Sequence, residues 1–241
     1  MPYPFYYGFG YMDAAYIAVI IAAIFSLAMS VRVNSTFKKY SAVVLPSRMT
    51  GADAARRVLD AHGLSNVRIE RVSGDLTDHF DPRSNVIRLS DSVYGASTAA
   101  AVGVAAHEAG HAVQHARHYF PLKIRNAMVP ITNIGSRLST PLILLGIVFS
   151  SMGAHFIGIA YLGIALFSLS VLFQLLTLPT EFNASRRAIT SLRECGILSG
   201  EELTASKKVL SAAAMTYVAA TAVAITQFLR LLSIVSRRDR R

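Results

Sequence analysis

The chain of 241 residues carries a formal charge of +10 and is nevertheless 53% hydrophobic, with a mean hydropathy of +0.43. That is too apolar for a soluble domain of this size and points to membrane segments. The basic excess is not interleaved with a stacking motif or any nucleic-acid module, so a nucleic-acid partner is not expected. The lone cysteine, Cys195, excludes an intramolecular disulfide and fits a reducing compartment.

Tyr3, Phe5, Tyr6, Tyr7, Phe9 and Tyr11 form an interfacial aromatic cluster without the basic start of a secretory signal, which predicts a retained anchor over residues 1–34. Its span is Ala14 to Val31, 18 residues without a charge. Residues 35–137 then have soluble character. Thr50-Gly51-Ala52-Asp53 opens a capped helix that Gly63 ends. Val67 to Val72 and Asn85 to Ser90 alternate apolar and polar residues between turn signals, which predicts a small antiparallel sheet. The Asn85–Ser90 strand offers an edge on which an extended substrate can pair, or is an ordinary sheet strand.

Beyond this segment, Leu138 to Thr180 is 43 residues without Asp, Glu, Lys or Arg, enough for a transmembrane hairpin over residues 138–178 with its turn near Ser151 to His155. Val209 to Leu229 is a weaker span because it carries Ser211, Thr216, Tyr217, Thr221, Thr226 and Gln227. Fourteen of the 24 Lys and Arg lie in residues 32–137, five in 179–208 and five from 230 onward. Three spans put all of them on the cytoplasmic side, as the positive-inside bias favours. A fourth would move the tail Ser236 to Arg241 outside. The last apolar helix therefore packs on the soluble segment, lies in the interface, or spans.

Ala105 to Ala116, AAHEAGHAVQHA, contains the pattern H-E-x-x-H. On a helix His107 and His111 lie one turn apart and about 40° around the axis, so both imidazoles can face one ion, while Glu108 is turned by about 100°. The chemistry that uses this arrangement is zinc held by two histidines, with the glutamate as general base towards zinc-activated water and as acid towards the leaving amine. A chance match on a helix is the alternative, but in Ala-rich sequence suited to burial, two histidines and a carboxylate would be costly without partners.

A catalytic zinc site needs a third protein ligand. The metzincin extension fails, since Gln114 and Arg117 occupy its glycine and histidine positions. Glu181 is the best candidate, because a two-span excursion returns the chain to its starting side, and Pro179 suits the first turn of a new helix there. A carboxylate merely favoured by a helix N-terminus is the competing reading. His115 is expected beside the ligands or on the surface. His62, His79 and His118 are expected to be exposed, with His79 able to line the cleft. Tyr217 or an arginine such as Arg186 can steady an oxyanion.

These residues resemble a known family. AAAVGVAAHEAGHAVQHA, preceded by LTDHFDPRSNVIRLSDSVYG and followed by LPTEFNASRRA, is similar to the YugP-type neutral zinc metallopeptidases of bacterial membranes, from about Ser35 to about Leu232. The resemblance implies a membrane-bound zinc peptidase with His107 and His111 as ligands and Glu108 as the catalytic residue. A more distant similarity to HtpX-like and prenyl-protein-processing membrane peptidases implies Glu181 as third ligand through an E-x-x-A-D pattern, in which Ser185 here replaces the aspartate.

The expectation is a mainly α protein with a small antiparallel sheet: an integral membrane, zincin-like metallopeptidase with three or four transmembrane helices and a third-ligand helix within residues 179–241. It would use Zn2+ to cleave membrane or unfolded proteins on the cytoplasmic side of the bilayer. A site-2-type intramembrane protease and an inactive zinc-binding scaffold are the alternatives.

Overall fold

The computed structural model describes residues 14–240. The N-terminal aromatic cluster lies outside the described residues. Seven helices and three strands follow in order: α1 (Ala14–Tyr40), α2 (Gly51–Ala61), β1 (Arg68–Val72), β2 (His79–Asp81), β3 (Val86–Ser90), α3 (Asp91–Tyr94), α4 (Ala99–Ala116), α5 (Phe120–Val148), α6 (Ala154–Glu194) and α7 (Gly200–Asp239). The fold is mostly helical, and α1, α5, α6 and α7 are each long and apolar enough to cross a membrane.

The chain forms two compact units. One comprises Ala28–Pro130 and Phe173–Val218, the other the N-terminal part through Leu27 with Ile131–Leu172 and Ala219–Arg241. In the first unit α2 begins with the capping box expected at Thr50. Its side chain accepts from Asp53 N, while Asp53 accepts from Thr50 N at 3.0 Å. Gly63 ends the helix region at φ +73°. Val58 and Leu59 of α2, Ile87 and Leu89 of β3, Val102 of α4 and Leu192 of α6 build the core.

The sheet has the order β1-β3-β2. The two strands expected to pair antiparallel, β1 and β3, run parallel, and a third strand that was not expected, β2, pairs antiparallel with β3, so the sheet is mixed. The Asn85–Ser90 strand is therefore central and has no edge to offer; β1 and the short β2 are the two edges. Side-chain alternation defines the two faces of a strand but carries no information about its neighbours.

In the second unit α5 and α6 form a hairpin whose turn contains a single 3-10 turn at Ser150–Met152, matching the break expected near Ser151. Small residues let the two backbones meet. A Cβ on Gly163 would lie 2.8 Å from Ile143 N and 2.8 Å from Ser139 O, and one on Gly146 would strike Ala160. Such contacts drive helix association where lipid removes the hydrophobic incentive.

The two ends of the last helix pack in different units. Its N-terminal part lies in the first unit, where Ser206 Oγ donates to Ala99 O at 2.6 Å. Its C-terminal part packs in the second unit. There Val235 is fully buried with Ile143, Ile157, Ala160 and Ile164, and Arg238 Nε donates to Ser150 Oγ at 2.8 Å. Overpacking the hairpin contact should be costly: Gly163→Leu is expected to destabilise the solubilised protein by about 1–3 kcal/mol, read as a lowered melting temperature.

Candidate metal centre

The centre is assembled in the first unit from α4, α6 and α7. α4 starts at the N-cap Thr98, whose hydroxyl accepts from Ala101 N at 3.2 Å. Its run of alanines and glycines lets other helices come close. A Cβ on Gly110 would sit 2.7 Å from the carbonyl oxygen of Ala184, so α4 and α6 touch backbone to backbone one residue before His111. On the α7 side, a Cβ on Gly103 would meet Ser206 Cβ at 3.1 Å.

This approach brings Glu181 to the histidines. Its Oε2 lies 3.3 Å from His107 Nε2 and 3.6 Å from His111 Nε2, with the side chains 3%, 13% and 12% exposed respectively. One donor atom from each of the three residues falls within 4.8 Å of the other two. Glu181 is in the interior of α6 and Pro179 is inside the same helix, so Pro179 is not in a first turn and a helix N-terminus does not account for the carboxylate. The hydroxyls of Thr177 and Thr180 bond back to Phe173 O and Leu176 O on either side of the proline.

The three donors suit zinc. Tetrahedral zinc with bonds of about 2.0–2.2 Å would hold its ligand atoms roughly 3.3 Å apart, close to the two separations from Glu181. Burial by itself would push His111 down, but the adjoining Glu181 carboxylate outweighs it and raises the ring above its ordinary value. A buried carboxylate between two imidazoles calls for a cation.

Hydrogen bonds behind the histidines settle where the lone pairs point. Arg187 can only donate, and its Nε bonds Asn183 Oδ1 at 2.8 Å. Asn183 Oδ1 also accepts from Gln114 Nε2 at 2.9 Å, and Gln114 Nε2 donates again to Thr180 O at 2.8 Å. Gln114 Oε1 must then accept from His111 Nδ1 at 3.0 Å. That places a proton on Nδ1, so that the neutral ring presents its Nε2 lone pair on the side of Glu181. His107 Nδ1 pairs with Ser185 Oγ at 3.1 Å, so the residue replacing aspartate orients the other histidine.

Two cavities meet at the centre, both lined by Asp78, His107, Glu108, Glu181 and Tyr217. Glu108 is 8% exposed, and its carboxylate faces the same space as the three donors. Burial raises the Asp78 carboxyl despite its bonds from Ser90 N and Oγ. Tyr217 hydrogen-bonds Glu181, whereas Arg186 lines a separate groove with Lys207. His79 is exposed and lines the cleft with Phe80 of β2. His115 meets the Phe80 ring at a tilt of 55° with ring centroids 5.8 Å apart. His118 is exposed, and His62 is half-buried beyond the end of α2 rather than exposed. Sequence reasoning missed Gln114, Asn183 and Arg187, although their spacing from the ligands by two to six residues along two helices was the available signal. It also missed Arg125 and Asn126 of α5, which line the first cavity.

Residues 15–236 match the family described as "Putative neutral zinc metallopeptidase". The chain is 46% identical over 203 residues to the "Putative membrane protease YugP" of Bacillus subtilis (strain 168), covering 84% of this chain and 88% of that protein. No solved structure matches.

Two substitutions test the architecture. Gln114→Leu removes the acceptor for His111 Nδ1 and should weaken zinc binding about 10–100-fold in competition with a chromophoric chelator. Gly110→Ala should force α4 and α6 apart and lower zinc occupancy, measured by metal analysis of the purified protein.

Proposed function

We propose that this chain, which belongs to the neutral zinc metallopeptidase family, is a membrane-bound endopeptidase that hydrolyses peptide bonds of membrane or unfolded proteins. The observation that carries this reading is the convergence of His107, His111 and Glu181 within 4.8 Å, with Glu108 facing the same cavities.

His107, His111 and Glu181 would hold a zinc ion, which would supply Lewis acidity towards water and the scissile carbonyl. Glu108 takes the proton of the attacking water and returns it to the departing amine. Tyr217 lines both cavities and hydrogen-bonds Glu181; turning its one O–H from that carboxylate to the substrate oxygen would supply a donor where charge develops. Gln114 and Ser185 hold the imidazoles in register, so little reorganisation accompanies the reaction. An extended substrate adds to the edge strand β2, which reaches the cleft through His79 and Phe80.

Three donors, rather than four, favour a catalytic over a purely structural site. α4 is not among the four helices long and apolar enough to span, which favours a water-exposed cleft over an intramembrane one. Residues 32–137 and 179–208 hold 19 of the 24 basic residues, so the positive-inside bias assigns the centre to the cytoplasm. The burial of Val235 among hairpin residues and the Arg238–Ser150 bond favour a fourth crossing, with the tail on the side of the hairpin turn.

Glu108→Gln should retain zinc and lose casein cleavage; equal activity in the two forms would remove Glu108 from the mechanism. Glu181→Ala should lower zinc content as far as His111→Ala does, measured by atomic absorption. A tag at Arg241 should be reached by an impermeant reagent in intact cells, and protection of the tag would leave three crossings.

A further inference from the structure

The two cavities at the metal centre differ in chemistry. The first, of about 180 Å³, adds the polar Arg125, Asn126, His79 and His111 to the shared residues, together with Phe80, Pro82 and Leu122. The second, of about 230 Å³, adds Val33 of α1, Leu76 of the β1–β2 loop, Val104 of α4, and Leu210, Ala213 and Ala214 of α7. Its only carboxylate beyond the centre is Asp78, which Ser90 already engages through N at 2.8 Å and Oγ at 2.9 Å. The volume is below the roughly 300–1,000 Å³ of a pocket for a whole small molecule, and suits a single side chain.

Leu76 marks this cavity as built for a purpose. It adopts φ +54°, where a bulky residue is an outlier, and is 39% exposed. Its loop is fastened on both sides. Asp91 N donates to Gly74 O at 3.1 Å, Gly74 N donates to Asp91 Oδ2 at 3.3 Å, and Asp78 is bound to Ser90. A leucine held in left-handed backbone at the rim of a site is strain retained for what the side chain faces.

We propose that this second cavity is a specificity subsite that receives an aliphatic or aromatic side chain of the substrate beside the scissile bond, with Leu76 as its outer wall and Ala213 setting its depth. The inference rests on the peptidase reading for the bond that is cut, but the subsite itself is a binding property. Because the cavities meet at His107, Glu108 and Glu181, a peptide crossing the centre places one flanking residue in each. The apolar one receives its wall partly from α1, so the anchor helix contributes to selection as well as to attachment.

The test uses full-length, zinc-loaded protein in detergent and two series of short peptide hydroxamates, with Gly, Ala, Leu, Phe or Asp on either side of the metal-binding group. Calorimetry should show, in one series, Leu or Phe binding at least about 10-fold tighter than Gly, with Asp weakest. Leu76→Asn places a residue that accepts left-handed backbone, so it should melt no lower than wild type while losing most of that preference. Ala213→Phe should fill the cavity and shift preference to Gly and Ala. Equal affinities across both series, or a preference unchanged in both variants, overturns the subsite. An apolar preference in binding with no hydrolysis of the matching peptides supports the subsite and overturns the peptidase reading instead.

Discussion

The metal centre depends on one contact: the backbones of α4 and α6 meet at Gly110 and Ala184 with no room for a side chain between them. His107 and His111 are placed by one helix, but a helix cannot direct a third donor at its own histidines. Glu181 arrives only because α6 comes within reach, and it does so where α4 has no Cβ and α6 has alanine. The pattern H-E-A-G-H thus encodes two things in five residues, a pair of imidazoles and the gap through which their third partner enters. Packing of this density leaves little slack, since interiors relax only partly around an added methyl group.

Contact alone would bring the donors together without deciding which nitrogen faces the ion. That decision begins at Arg187, a group with no acceptor capacity, and passes through Asn183 and Gln114 to His111 Nδ1. Each amide in the chain has its orientation imposed by the group before it. His107 is tied less strictly, because the Ser185 hydroxyl can either donate or accept. One imidazole is therefore fixed, through two amides, by an obligatory donor on another helix, and the other by a hydroxyl that can either donate or accept.

The parts of this design that were legible in the sequence are local or topological. The i, i+4 spacing of His107 and His111 requires only helical geometry, and the capping box at Thr50 and Asp53 only one turn. Glu181 was reachable because a hairpin must return the chain to its starting side. What escaped involved competing signals. Pro179 is equally good punctuation for a helix start, and only the tertiary setting lets α6 run through it with Thr177 and Thr180 bonded back to the preceding turn. The parallel pairing of β1 with β3 escaped because turn residues favour antiparallel pairing of neighbours in sequence, whereas β2, between them in the chain, takes the far edge. Gln114 was legible only as a departure from another family's pattern, because its role depends on Asn183 and Thr180, 69 and 66 residues away.

The replacement of an expected aspartate by Ser185 has an electrostatic rationale. In a site as buried as this one, net charge is costly. A divalent ion together with the carboxylates of Glu181 and Glu108 sums to zero, and both imidazoles are neutral when they ligate. An aspartate at position 185 would leave a surplus negative charge in the same low-dielectric space, to be offset by a further cation. Arg187 is already engaged with Asn183, and Arg186 points to a separate groove beside Lys207. A hydroxyl supplies the hydrogen bond that His107 needs without adding to the carboxylates of Glu108, Glu181 and Asp78 that already line the cavities.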